Sequence, residues 1–84
     1  MKTHMAQNIT IYSTPTCHFC HLAKDFLTEN NIPFTDYNVQ TDLEKRAEMT
    51  EKSGGMAVPV IDVDGEVMVG FDKEKLAGLV GIAA

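Results

Sequence analysis

Ile9-Thr10-Ile11-Tyr12-Ser13-Thr14-Pro15-Thr16-Cys17-His18-Phe19-Cys20 is the stretch on which the reading of this chain turns. Its first four residues are β-branched or aromatic, and Ser13-Thr14-Pro15 breaks the run. That predicts a strand over residues 8–13. Thr16 is a cap-type residue, so a helix is expected to begin at Cys17. Phe19, Leu22, Ala23, Phe26 and Leu27 then fall at i, i+3, i+4, i+7 and i+8, the apolar stripe of a helix lying on a core. Asn30-Asn31 and Pro33 end it. The two cysteines therefore stand where a strand hands over to a helix.

Outward from this unit, Phe34 to Val39 reads as a second strand. A helical crossover joins it to the first, so the two should run parallel in a right-handed βαβ unit. Thr41-Asp42-Leu43-Glu44 matches a capping box with Thr41 as the cap. The helix it opens is polar, with Leu43 and Ala47 as its clearest inward residues, and Gly54-Gly55 ends it. Val58-Pro59 leads into a third strand, Val60 to Val63. Asp64-Gly65 is a two-residue hairpin signal, and Glu66 to Val69 returns antiparallel. Gly70-Phe71-Asp72 makes a turn with Asp72 as a cap. Leu76, Leu79, Val80 and Ala83 give the last helix its stripe. The order is β-α-β-α-β-β-α, an α/β fold without repeats or low-complexity segments.

A chain of 84 residues supports one modest core. Residues 1–6 (MKTHMA) resemble an appended tag with the native start near Met5, which leaves residues 7–84 as one domain. The net charge of −5 argues against nucleic-acid binding, which needs clustered Lys and Arg. No apolar run approaches the roughly 20 residues of a membrane span, and no signal peptide is evident. Two cysteines are too few for a small secreted domain stapled by disulfides. A pair so close in sequence also closes too small a loop to constrain the unfolded chain much. A cytoplasmic redox or metal role is the expectation.

The position of the pair supplies its chemistry. In the first turn of a helix the N–H groups lack intrahelical partners and the macrodipole is positive. Both favour a thiolate, the attacking species in disulfide exchange. Cysteines at such positions fall from about 8.5 to roughly 3.5–7.5 in pKa. Residues three apart share a helix face, with Cys20 about one turn deeper than Cys17. Cys17 would attack a substrate disulfide, and Cys20 would then attack Cys17 and release the product. A protonated His18 would add a nearby positive charge.

Three other readings compete. A structural zinc needs four ligands, and beyond the cysteines the chain has only His4, His18 and His21. Cys17-His18-Phe19-Cys20-His21 also satisfies the c-type haem pattern. That reading needs export and usually a second axial ligand, and the strands suit it poorly. The third is a pair of inert buried cysteines. The first turn after Thr14-Pro15-Thr16 should be exposed, which argues against it.

At this point the sequence resembles the glutaredoxin family, within the thioredoxin fold, over about residues 8–82. The resemblance is carried by Tyr12-Ser13 before the Cys17–Cys20 motif, by Val58-Pro59, and by Gly70-Phe71-Asp72 after the hairpin. It implies a mixed four-stranded sheet flanked by three helices, and a cis peptide bond before Pro59 lying against the cysteines. It implies substrate or glutathione contacts at Tyr12, Phe19, Val58, Pro59, Gly70, Phe71 and Asp72. Among these, Val58 would pair its backbone with an extended substrate, and Phe19 is equally a core residue by its spacing.

The resemblance implies no tightly bound cofactor and glutathione as the co-substrate. It implies disulfide-containing proteins as substrates and a monomer. Relatives often carry Lys where this chain has Thr14, Pro where it has His18, and Gly-Gly where it has the single Gly70. Those departures also look like redoxins linked to ribonucleotide reductase, which take electrons from thioredoxin reductase. The donor is thus glutathione or thioredoxin reductase. An alternative from the same resemblance is a metal or [2Fe–2S] binding module using Cys17, a type that usually carries Ser at the position of Cys20.

Overall fold

The computed structural model describes residues 8–81. The expectations for residues 1–6, including His4, and for Ala83 lie outside them. The elements are β1 (Ile9–Ser13), α1 (His18–Glu29), β2 (Thr35–Asn38), α2 (Leu43–Ser53), β3 (Val60–Val63), β4 (Glu66–Val69) and α3 (Lys73–Val80). They form one sheet in the order β2-β1-β3-β4. β1 pairs parallel with β2, while β1–β3 and β3–β4 are antiparallel. This is the thioredoxin-like arrangement.

Strand alternation divides the core between the two faces of the sheet. Ile9 and Ile11 of β1, Ile61 and Val63 of β3 and Met68 of β4 pack with Ala23, Phe26 and Leu27 of α1 and Leu76, Ala77 and Val80 of α3. The intervening residues Tyr12 and Val60 face the other way and pack with Val39 and with Met49 of α2. The hairpin turn at Asp64-Gly65 has φ of 51° and 96°. Two left-handed residues in succession are what a tight turn between right-twisted strands requires.

The N-caps of α1 and α2 each sit one residue later than the sequence implied. Cys17, not Thr16, is the N-cap of α1. Asp42, not Thr41, caps α2, its carboxylate accepting from the Lys45 N–H at 3.1 Å. Asp is as good a cap as Thr, and Thr41 instead turns its hydroxyl to the Asn38 carbonyl at 3.4 Å. With that frame Leu43 is 65% exposed and Ala47 is also exposed, while Met49 is the buried residue of α2. The reason is that the sheet presents polar groups to this helix. Lys52 donates to the Tyr12 hydroxyl at 2.9 Å and to Asp62 at 2.6 Å, and the Tyr12 hydroxyl donates to Glu48.

The Tyr12 hydrogen bond and the neighbouring Lys45 lower the pKa of Glu48, while burial raises that of Tyr12. A carboxyl with a depressed folded pKa adds stability above its unfolded value, about 4.3, and loses it as pH falls through the folded value. Urea midpoints of the protein and of Glu48→Gln should therefore differ at pH 6 and converge as pH falls below the lowered folded value of Glu48. The gap should be modest, because the Glu48 side chain keeps 38% of its surface in water. A gap independent of pH would show that the ionised carboxylate adds nothing.

Candidate active site

β1 ends at Ser13, and Thr14-Pro15-Thr16 carries the chain to the start of α1. The Cys17 backbone is extended (φ −86°, ψ 113°), and its sulfur accepts a hydrogen bond from the Cys20 N–H at 3.1 Å. A helix N-terminus has N–H groups without intrahelical partners, and here Sγ of Cys17 takes one of them. The same donor would sit on a Cys17 thiolate. Cys17 and Cys20 are joined as a disulfide, with Cα atoms 5.2 Å apart. They differ sharply in access: Cys17 is partly exposed, and Cys20 is completely buried.

His21 ties the preceding loop to this first turn, its Nε2 lying 2.9 Å from the Pro15 carbonyl. That contact gives the third residue of the haem-like pattern a structural task. Among the described residues, no three His, Cys, Asp or Glu side chains gather as a metal-binding group.

The other residues proposed from sequence separate into three groups. Val58 is half-buried and lines a cleft of about 230 Å³ with Thr14, Thr16, Gln40, Arg46 and Met56. No hydrogen bond reaches its N–H or C=O among the described residues. The Val58-Pro59 peptide is cis, as the resemblance implied. Pro59, expected as a ligand contact, is fully buried, so its ring does not itself meet a ligand; its carbonyl accepts from the Gly70 N–H at 2.7 Å. That bond brings the Val58-Pro59 and Gly70-Phe71-Asp72 segments together. Gly70 has φ of 88°, which disfavours any side chain there. Asp72 caps α3, accepting from the Lys75 N–H at 3.2 Å.

Phe19 is 56% exposed, edge-on to His18, so it is not part of the core. The helix stripe shifts accordingly, with Cys20, Ala23, Phe26 and Leu27 as its buried residues. Phe71 is half-buried against Phe26 and lines a second groove with Leu22 and Lys73.

Tyr12, expected among the ligand contacts, is not available to a ligand. It is completely buried on the α2 face of the sheet, with its hydroxyl engaged by Glu48 and Lys52. A side chain with no exposed surface cannot touch a ligand. Tyr12 faces away from α1 because it alternates with Ile11 and Ser13 along β1.

Arg46 was missed from sequence. It lies in the cleft beside Thr14 and Val58, and its guanidinium has no hydrogen bond or ion pair among the described residues. The usable signal was its spacing: three residues before Met49, it shares the buried residue's side of α2.

The glutaredoxin family model matches residues 9–68. A glutaredoxin-like 8.6 kDa protein from the rubredoxin operon of Clostridium pasteurianum is 46% identical over 72 residues, covering 86% of this chain and 96% of that one. Glutaredoxin 3 of Escherichia coli (strain K12) is 35% identical over 65 residues, covering 77% of this chain and 78% of the other. Among solved structures, the glutaredoxin-like NrdH-redoxin of Escherichia coli superposes with a TM-score of 0.76 at 27% identity. That match covers 87% of this chain and 95% of the other.

Proposed function

This chain belongs to the glutaredoxin family and is a thiol–disulfide oxidoreductase, and we propose that it is the glutathione-linked kind, with Cys17 as nucleophile and Cys20 as resolving thiol. The unequal access of the two sulfurs supports the division of roles. Only Cys17 can be reached by an outside disulfide, whereas Cys20 can attack only its neighbour.

The Cys17 thiolate forms a bond to one sulfur of the substrate disulfide. The substrate S–S bond breaks, and the other sulfur leaves as a thiolate and takes a proton. Cys20, deprotonated, then attacks Cys17, forms the disulfide seen here and releases the reduced product. Two electrons pass from the dithiol to the substrate. Two molecules of glutathione return them, leaving as glutathione disulfide. The free Val58 backbone groups suit pairing with an extended peptide, and exposed Phe19 suits apolar contact beside Cys17.

The Arg46 guanidinium, without a partner among the described residues, favours glutathione as the donor. A guanidinium pairs well with a carboxylate, and Arg46 stands in the cleft where Thr14 cannot supply the positive charge. The missing lysine at Thr14 favours the second reading, electrons from thioredoxin reductase. The structural relative NrdH-redoxin is described as having a thioredoxin-like activity profile. Either reading carries a cytoplasmic location, where thiols are kept reduced.

NADPH oxidation measured with glutathione plus glutathione reductase should exceed that with thioredoxin reductase alone; the reverse order selects the second reading. Arg46→Met should raise KM for a glutathione mixed disulfide about tenfold, the value of one charge-assisted hydrogen bond, with little change in kcat.

A further inference from the structure

Met56 differs from the other methionines of the described residues. It is 59% exposed, whereas Met49 and Met68 are 1% and 3% exposed. The Thr50 hydroxyl donates to its sulfur at 3.3 Å. Met56 also lines the same cleft as Arg46 and Val58. An accessible thioether is open to peroxide, and oxidation makes it polar. The thioether sulfur is a weak hydrogen-bond acceptor, and a sulfoxide oxygen is a strong one.

We propose that Met56 is a peroxide-oxidised site whose sulfoxide engages Arg46 and so weakens substrate binding in the cleft. The sulfur attacks hydrogen peroxide, an S–O bond forms and the O–O bond breaks. The displaced hydroxide takes the proton of the new S–OH group and leaves as water, which completes the sulfoxide. Sulfur loses two electrons and peroxide gains them. Thr50 already donates to this sulfur, and Arg46, which lines the cleft, has no hydrogen bond or ion pair among the described residues. A guanidinium held by the sulfoxide oxygen is no longer free for a carboxylate. The oxidation stands on exposure alone, while its effect on binding rests on the glutathione reading above.

The disulfide form is the one to treat, because its cysteines are already paired. Hydrogen peroxide is added and removed, and dithiothreitol then restores the dithiol without reversing the sulfoxide. Fragment-ion mass spectrometry should place one added oxygen on Met56 before Met49 or Met68. KM for a glutathione mixed disulfide should rise about tenfold with kcat held. Met56→Leu, treated alike, should keep its own untreated KM. Oxidation of Met49 or Met68 ahead of Met56 overturns the site. An unchanged KM in protein oxidised at Met56 overturns its coupling to binding. A wild-type KM in untreated Arg46→Met removes the glutathione reading and the coupling to Arg46, while the mass measurement still reports on the oxidation site.

Discussion

Cys17→Ser should lose disulfide reductase activity by about 10³-fold or more, as removal of a nucleophile does. A serine hydroxyl at this position cannot attack a disulfide, and Cys20 cannot replace it. Cys20 has no exposed surface and sits one turn into α1. Cys20→Ser should behave differently. Its Cys17 can still form a mixed disulfide, which a second thiol from solution must then resolve. Reduction of protein disulfides should fall steeply, while reduction of glutathione mixed disulfides should persist, because glutathione itself resolves them. Steady-state rates of both variants on both substrates check the assignment. Equal losses in Cys20→Ser on the two substrates would contradict the resolving role, and full activity in Cys17→Ser would sink the mechanism.

Tyr12→Ala should cost about 3–5 kcal/mol of stability, the range for deleting a buried aromatic ring. Small domains hold only about 5–15 kcal/mol in total, so the variant should be partly unfolded near 37 °C. The ring fills the smaller core with Val39, Met49 and Val60, and it tilts against Tyr37 at 5.9 Å. Its removal leaves α2 with few apolar contacts to the sheet, since Met49 is that helix's only buried residue. Tyr12→Phe keeps the ring and loses only the hydroxyl. Glu48 and Lys52 are partly exposed and can turn to water, so the cost should be nearer 1 kcal/mol. Denaturant midpoints measure both effects. Tyr12→Phe should also reduce a glutathione mixed disulfide at the wild-type rate, whereas a ligand role for the hydroxyl would raise KM.

Much of the fold was legible because its signals are local. Ile9-Thr10-Ile11-Tyr12 specifies an extended segment by side-chain shape. Asp64-Gly65 specifies its turn because those residues tolerate positive φ. Asp72 and Gly54 mark helix ends through one hydrogen bond or one backbone angle. The inward face of α2 was not legible, because it was sought as apolar surface. The sheet instead offers that helix the Tyr12 hydroxyl and Asp62, so charged side chains turn inward. Arg46 went unseen for the same reason, and Tyr12 was placed at the ligand although its strand turns it to the opposite face.

The sequence by itself determined that Cys17 and Cys20 share one helix face at a strand-to-helix junction, because spacing and helix propensity are properties of neighbouring residues. It also marked Val58-Pro59 and Gly70-Phe71-Asp72, through resemblance to a family. The same spacing set Cys20 deeper than Cys17, and the tertiary structure decided how unequal their access is. Cys20 disappears under the packing of α1 on the sheet while Cys17 caps the helix at its exposed end. Only tertiary structure, too, joined Pro59 to Gly70 and set Arg46 beside Thr14. Access and long-range juxtaposition depend on how separate elements pack, and no local pattern along the chain encodes that.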